Sequence, residues 1–188
     1  MKWHEHDGGI REALHRDVLA TAHASWCLVV DEFAIGRGAC FADVAVLDGL
    51  FRGYEIKAAR DTLGRLASQV QHYGLVFDYA TVVVAENHEA AARKLIPSWW
   101  SVLVADEMGL KWRRMGERNP SPSGIARAGL LWNHEIESAL LDAGGLRGFR
   151  GASRRKLTSR LVEVLGESVS DVVQSRLRAR GDWKRRSA

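Results

Sequence analysis

Three charged side chains in one short stretch carry the chemistry this sequence offers. Asp43, Glu55 and Lys57 fall within Phe41 to Lys57, Phe-Ala-Asp-Val-Ala-Val-Leu-Asp-Gly-Leu-Phe-Arg-Gly-Tyr-Glu-Ile-Lys. Two carboxylates, with the Ile56 carbonyl and water, make an all-oxygen ligand set suited to Mg²⁺ or Mn²⁺. A lysine beside them can hold a phosphate and an attacking water. Together these parts suit metal-assisted hydrolysis of a phosphodiester. A Glu-x-Lys tripeptide alone is common on solvated strands, so the argument rests on Asp43 and on the segments that surround the three residues.

The stretch reads as a β-hairpin. Apolar residues run through Val44, Val46 and Leu47, then through Leu50, Phe51, Tyr54 and Ile56, with Asp48-Gly49 between them. An Asp-Gly pair flanked this way is a strong hairpin signal. Side chains alternate along a strand, so Glu55 and Lys57 share a face and Ile56 turns away. Asp43, on the partner strand, can lie across from them.

The order Ala42-Asp43, hairpin turn, Glu55-Ile56-Lys57 resembles the PD-(D/E)XK nuclease superfamily, with Ala42 where the family name has Pro. Gln69-Val70-Gln71-His72-Tyr73 is similar to the Gln-x-x-x-Tyr element of RecB-like members. Gly9-Ile10-Arg11-Glu12 resembles the first-helix Glu of the archaeal Holliday junction resolvase branch. Gly53 to Lys57, Arg60-Asp61-Thr62-Leu63 and Ile96 to Trp100 resemble one bacterial family within the superfamily. The resemblance spans about residues 8 to 105. It implies a restriction-endonuclease-like αβββαβ core with a mixed sheet, and a metal-dependent nuclease chemistry with no particular substrate.

The elements that would position these residues can be read in order. Ile10, Leu14 and Val18 give a helix from Ile10 to His23. Glu12 lies opposite that stripe: it either faces the groove and reaches a metal through water, or is a solvated first-turn Glu favoured by the helix dipole. Ser25 to Ala34 reads as a strand ending near Glu32, a rival carboxylate whose simpler reading is a charged strand end. Gly36-Arg37-Gly38 is a glycine-rich turn whose Arg37 can meet a phosphate. Ala58 to Phe77 reads as a helix capped by Asp61, with Asp61, Arg65, Gln69 and Tyr73 in one polar row. Arg65, Gln69 and Tyr73 are therefore expected to support the metal site.

Tyr79 to Ala85 is a continuous apolar run of the kind buried on both faces. Asn87 is expected to cap a helix through Leu95, and Pro97 ends it. Trp99 to Ala105 is the last expected strand. Two of the three prolines fall in Asn119 to Gly124, which reads as an exposed connector. Helices are expected over Leu130 to Ala143, Ser153 to Leu165 and Ser170 to Arg180. The expected organisation is a nuclease-like core over 1–118, a linker over 119–124 and a basic helical region over 125–188, either a loose helix-turn-helix or helices that complete the core.

Composition sets outer bounds. The 188 residues carry a formal net charge of +4, and from Arg147 onward Arg and Lys far outnumber Glu163, Glu167, Asp171 and Asp182. A one-sided basic segment is the footprint of a phosphate-backbone binder, so Arg150, Arg154, Arg155 and Lys156 join Arg37 as expected nucleic-acid contacts. No apolar run reaches the roughly 20 residues that span a bilayer, and the first residues lack a signal-peptide core, so a cytoplasmic location is the default. Cys27 and Cys40 fit reduced thiols, without zinc spacing. The expected function is an Mg²⁺- or Mn²⁺-dependent deoxyribonuclease. RNA as substrate and a homodimer are left open. The alternative is a catalytically inactive nucleic-acid or protein-binding module on the same fold.

Overall fold

The computed structural model describes residues 2–22 and 27–181. His23, Ser25, Trp26 and the basic tail end with Lys184, Arg185 and Arg186 lie outside the described residues. The fold is α/β, built on one six-stranded mixed sheet in the order β1 (Leu28–Ile35), β2 (Cys40–Leu47), β3 (Phe51–Lys57), β4 (Tyr79–Ala85), β5 (Ser101–Asp106) and β6 (Gly109–Arg114). The first three strands are antiparallel, β3–β4 and β4–β5 are parallel, and β6 returns antiparallel.

Both sheet faces are covered. On one side α1 (Asp7–Ala13) continues through a π-helical stretch, Leu14–Leu19, into α2 (Ala20–Ala22). Its Ile10, Leu14 and Leu19 pack on Val44, Val46, Tyr54, Ile56 and Val83. The other side carries α3 (Leu66–Val76), α4 (Glu89–Leu95), α5 (Gly124–Ala128), α6 (Asn133–Asp142), α7 (Arg154–Leu165) and α8 (Val169–Ala179). Val82 and Val84 face this second layer while Val83 faces the first, so β4 is buried on both faces, as its unbroken apolar run requires. Close approach fixes one glycine: a Cβ on Gly53 would meet the Phe77 ring at 2.6 Å.

Several boundaries differ from the sequence reading, each for a local reason. The helix before the sheet begins at Asp7. The helix after β3 begins at Leu66, not Ala58, because Asp61 accepts the Ala58 N–H at 2.8 Å and fastens a turn instead of capping a helix. Asn87 likewise does not cap α4; its amide donates to the Ala59 carbonyl at 3.0 Å. Strand β6 has no counterpart among the strands expected from the sequence. Its Lys111, Arg113 and Arg114 hide the alternation, and such charges are what an edge strand carries to discourage further pairing.

The expected linker at 119–124 is not an exposed connector. Asn119 is buried, and its amide donates to the Gly74 and Phe77 carbonyls at 2.8 Å each. Leu131, Ile136, Leu140, Leu157, Leu161, Val173 and Leu177 then belong to the same apolar cluster as Phe33, Phe51, Phe77 and Val82. The C-terminal helices therefore complete the core of the sheet. One buried ion pair locks them there. Asp78 on the β4 approach accepts the Phe51 N–H at 2.9 Å and lies 2.9 Å from the Arg127 guanidinium on α5. Arg127 also donates to the Val76 carbonyl at 2.8 Å and to Ser170 at 2.7 Å.

Removing one partner of a buried pair strands the other charge, at a cost of about 3–5 kcal/mol. Arg127→Met leaves Asp78 with the largely exposed Arg118 guanidinium at 3.1 Å, so it is expected to lower unfolding stability by about 3 kcal/mol, the low end of that range, in urea titration. Wild type should unfold in one transition by both far-UV circular dichroism and tryptophan fluorescence. A separate early transition of the helices would contradict the shared core.

Candidate functional site

The groove is opened by a break in strand geometry. On β1, Leu28 and Val30 face the larger apolar cluster, but so do Phe33 and Ile35. On β2, Cys40 and Ala42 face it, and so do Ala45 and Leu47. Both strands skip one residue, and the skipped residues are Glu32 and Asp43. The pairing runs Asp31 with Val44 and then Phe33 with Ala42, leaving Glu32 and Asp43 out of the ladder. Glu32 has φ +54, a left-handed conformation uncommon for a side chain of its kind. The β2–β3 ladder stops at Val44 opposite Tyr54. Beyond it the Asp43 carboxylate takes the place of backbone, accepting the Ile56 N–H at 2.6 Å.

That arrangement brings Asp43, Glu55, Ile56 and Lys57 into one groove of about 800 Å³, open to solvent. As alternation requires, Glu55 and Lys57 share a face and are ion-paired, Lys57 donating to Glu55 Oε1, while Ile56 packs on the opposite layer. Glu55 is 1% exposed. Its second oxygen lies 2.7 Å from the Tyr73 hydroxyl, which is also 3.1 Å from the Tyr54 carbonyl. Burial and the Glu55 charge push the Tyr73 phenol well above its ordinary value, so it remains a proton donor to Glu55. Gln69 and Arg65 line the groove, and Gln69 Oε1 is buried with no hydrogen-bond partner among the described residues. Thus α3 delivers Gln69 and Tyr73, one turn apart, and Arg65 stands at its N-cap.

Other expected residues fall elsewhere. Glu12 is exposed and lines a separate cavity with Arg16, Asp17 and Glu107; the groove does not receive it. The side chains that do reach the site from α1 are Asp7, which lines the groove, and Arg11. Arg11 donates to Asp7 at 2.8 Å, Glu32 at 2.8 Å and the Asp43 carbonyl, and lies 3.4 Å from Asp43 Oδ1. His15, one turn on, meets Asp31 at 2.8 Å. The signal for this row was the i, i+4, i+8 spacing of Asp7, Arg11 and His15 beside the buried Ile10–Leu14 stripe. Glu32 also lines the groove.

The basic contacts are dispersed. Arg37 and Arg154 line a second cavity. Arg150 borders another near Leu146, and Arg155 and Lys156 are exposed on the first turn of α7. Arg154 is turned inward, donating to Asn133 and to the Gly129 and Leu131 carbonyls.

Electrostatics mark Asp43. Burial foremost, then the Glu55 charge, raises its carboxyl from 3.8 to about 7, against the opposing effects of the Ile56 N–H and Arg11. A cation bound beside Asp43 would offset that burial cost, and the donor atoms of Asp43 and Glu55 are all oxygens, which fits a hard divalent ion. Among the described residues no three His, Cys, Asp or Glu side chains form a metal cage of their own. Asp43 and Glu55 would therefore need the Ile56 carbonyl and water beside them, and Mg²⁺ commonly keeps several waters. The N–H and C=O of one strand residue point to the same edge, so the Ile56 carbonyl faces Asp43 with its N–H. Cys40 borders the groove, but burial and the two carboxylates raise its thiol to about 11. It is not a thiolate nucleophile at neutral pH.

A family model described as bacteriophage P4 protein cII matches residues 12–185. The chain belongs to the bacteriophage P4 cII family. The family match runs from α1 past α8, across the groove and the helices that complete the core. No curated protein matches the chain. Among solved structures, a protein of unknown function from Silicibacter pomeroyi is 21% identical, covers 77% of this chain and 92% of its own, and has a TM-score of 0.47.

The raised Asp43 carboxyl sets a pH dependence for this member of the P4 cII family. Between pH 4 and 7 the folded protein holds a proton that the unfolded chain releases, so metal-free stability falls as pH rises through that window and the loss is complete above it. A shift of about three units sets a ceiling of about 4 kcal/mol. In EDTA, Asp43→Asn is expected to gain on wild type as pH rises from 4 to 8, with no difference below pH 4. Parallel pH–stability curves for the two proteins would place the Asp43 carboxyl at its ordinary value.

Proposed function

We propose that the chain is a divalent-metal-dependent nuclease that hydrolyses phosphodiester bonds in DNA. The observation that carries this reading is the convergence of Asp43, Glu55 and Lys57 in one open groove, with Asp43 spanning the point where β3 leaves β2. Its motif order is the one that resembles the PD-(D/E)XK superfamily.

The roles follow from position. Asp43, Glu55 and the Ile56 carbonyl would hold Mg²⁺ or Mn²⁺, which when bound supplies Lewis-acid polarisation of the phosphate and a more acidic water. Lys57 is nearly buried against Glu55 and aims its ammonium into the groove wall, where it orients water and offsets charge growing on phosphate. Tyr73 holds Glu55 in place through its hydroxyl. Gln69 and Arg65, on the groove rim, are groups that can meet a phosphate oxygen. Exposed Arg150, Arg155 and Lys156 can grip backbone without reading sequence. Among the described residues no helix is long and apolar enough to cross a membrane.

A second reading has its own observation. Arg11 binds Asp7, Glu32 and Asp43 together, and Lys57 neutralises Glu55. A site so paired can also serve a nucleic-acid-binding module that cuts nothing.

A cleavage assay separates the two readings. Purified protein is incubated with circular and linear DNA, single- and double-stranded, in Mg²⁺, Mn²⁺ or EDTA. Wild type should cut only with metal, and Asp43→Ala and Lys57→Ala should lose at least a hundredfold. Tyr73→Phe should lose roughly tenfold, the size of one lost hydrogen bond to a charged group. Glu12→Ala should cut like wild type, because Glu12 lies outside the groove. Undiminished cutting by Asp43→Ala, or none by wild type on any substrate, would end the nuclease reading.

A further inference from the structure

The turn that borders the groove has a second side. Gly38 lines both the acidic groove and a neighbouring cavity of about 430 Å³, so the two are contiguous across Gly36–Gly38. That volume lies in the small-ligand range of roughly 300–1,000 Å³. Its wall is apolar, from Phe33, Leu130, Leu177 and Trp132, and its polar groups are Arg37, Arg154 and Arg180.

The three arginines are not equivalent. Arg180 is neutralised by Glu135 at 2.6 Å and lies 4.2 Å over the Trp132 ring. Arg154 meets three neutral oxygens and no carboxylate. Burial and then the charge of Arg37 lower its pKa, against a smaller opposing effect of Glu135, and among the described residues Glu135 is itself paired with Arg180. Arg37 is exposed and has no hydrogen bond or ion pair among the described residues. It is held at φ +64 between Gly36 and Gly38, themselves at φ +59 and +86. Trp132, at the N-cap of α6, is 47% exposed, although a tryptophan with Arg180 across one face is already oriented.

We propose that this cavity binds a nucleotide of the same DNA strand that enters the groove, its phosphate on Arg37 and Arg154 and its base against Trp132. Two unneutralised guanidiniums match a phosphate, and an exposed, fixed indole on an apolar wall matches a base by stacking. Contiguity through Gly38 makes the occupant a neighbour of the phosphate at Asp43 and Glu55. The proposal rests on the nuclease reading for its choice of a strand over a free nucleotide, because the chemistry of base and phosphate is common to both.

Binding is read without cleavage. Fluorescence anisotropy with a labelled single-stranded oligonucleotide is measured in EDTA across a salt series, for wild type, Arg37→Asn, Trp132→Leu and Glu12→Ala. Asn tolerates the left-handed backbone at position 37, and Trp132 is exposed, so both variants should fold, as circular dichroism will check. Arg37→Asn should weaken binding roughly tenfold and reduce the salt slope by about one. Trp132→Leu should weaken it roughly tenfold with the slope unchanged. Glu12 lies outside both cavities, so Glu12→Ala should bind like wild type. Wild-type affinity and slope in both cavity variants would overturn the proposal. So would displacement of the oligonucleotide by micromolar deoxynucleoside monophosphate, which would make the site one for free nucleotides. If the two variants lose affinity while wild type cuts no DNA, the nuclease reading falls and the cavity stands as a strand-binding site.

Discussion

A single hydrogen bond governs the shape of the site: the Asp43 carboxylate accepting the Ile56 N–H at 2.6 Å. Backbone donors in a sheet interior must be paired, since leaving one unpaired costs about 1–3 kcal/mol. Where β3 separates from β2 after Val44 and Tyr54, Ile56 loses its strand neighbour. Asp43 supplies the missing acceptor from a side chain. The sheet can therefore open without stranding a donor, and the opening is what leaves Glu55 and Lys57 lining the wall of a groove. The same bond fixes one carboxylate oxygen in place. Replacing Asp43 with an apolar residue would remove an acceptor from the fold as well as a charge from the site.

The double break at Glu32 and Asp43 follows from the same geometry. Had only one strand skipped a residue, every side chain beyond would have changed faces and the core pairing would have failed. Because both strands skip together, Phe33 still lies opposite Ala42 and Ile35 opposite Cys40. The inward faces are kept on both sides of the break, and the residues left over are two carboxylates. The positive φ of Glu32 is the local cost of that solution. It places a third acid beside Asp43 and Glu55, and Arg11 reaches from α1 to bind it.

This explains what could be read in the sequence and what could not. The hairpin, the common face of Glu55 and Lys57, the burial of β4 and the supporting place of Tyr73 follow from alternation and helical spacing, which are local. Asp43 was legible as a partner but not as the acceptor for Ile56, because that bond exists only where two strands part. Glu12 is expected at the groove through its likeness to the first-helix Glu of the junction-resolvase branch, and a likeness of motif does not fix which side of the helix turns inward. The structure selects the side chains that flank the buried stripe, and those are Asp7 and Arg11. The segment at 119–124 carries two prolines and serines, which read as a connector, yet Asn119 is the residue that ties it down. Its amide satisfies the Gly74 and Phe77 carbonyls at the end of α3, a long-range role that composition does not encode.

Charge distribution gives the last constraint. Arg11, 11% exposed at its side chain, is the cation that lets Asp7, Glu32 and Asp43 sit together. Lys57 does the same for Glu55. Without them the groove floor would repel itself, and with them Asp43 still carries a raised carboxyl. Burial is the larger cause of that raised value and the Glu55 charge the smaller, so it reflects the depth of the site more than a shortage of cations. Across the Gly36–Gly38 turn the balance differs: Arg37 and Arg154 line one cavity, and the nearby Glu135 is already paired with Arg180. An excess of carboxylate on one side of a three-residue turn and an excess of guanidinium on the other is a polarity a phosphodiester chain can span. Its phosphates would be drawn to the second side, and a cation would be needed for one of them to approach the first. Diffuse positive charge elsewhere on α7 attracts a polyanion without directing it; the paired imbalance at the turn is what would set the direction of a bound strand.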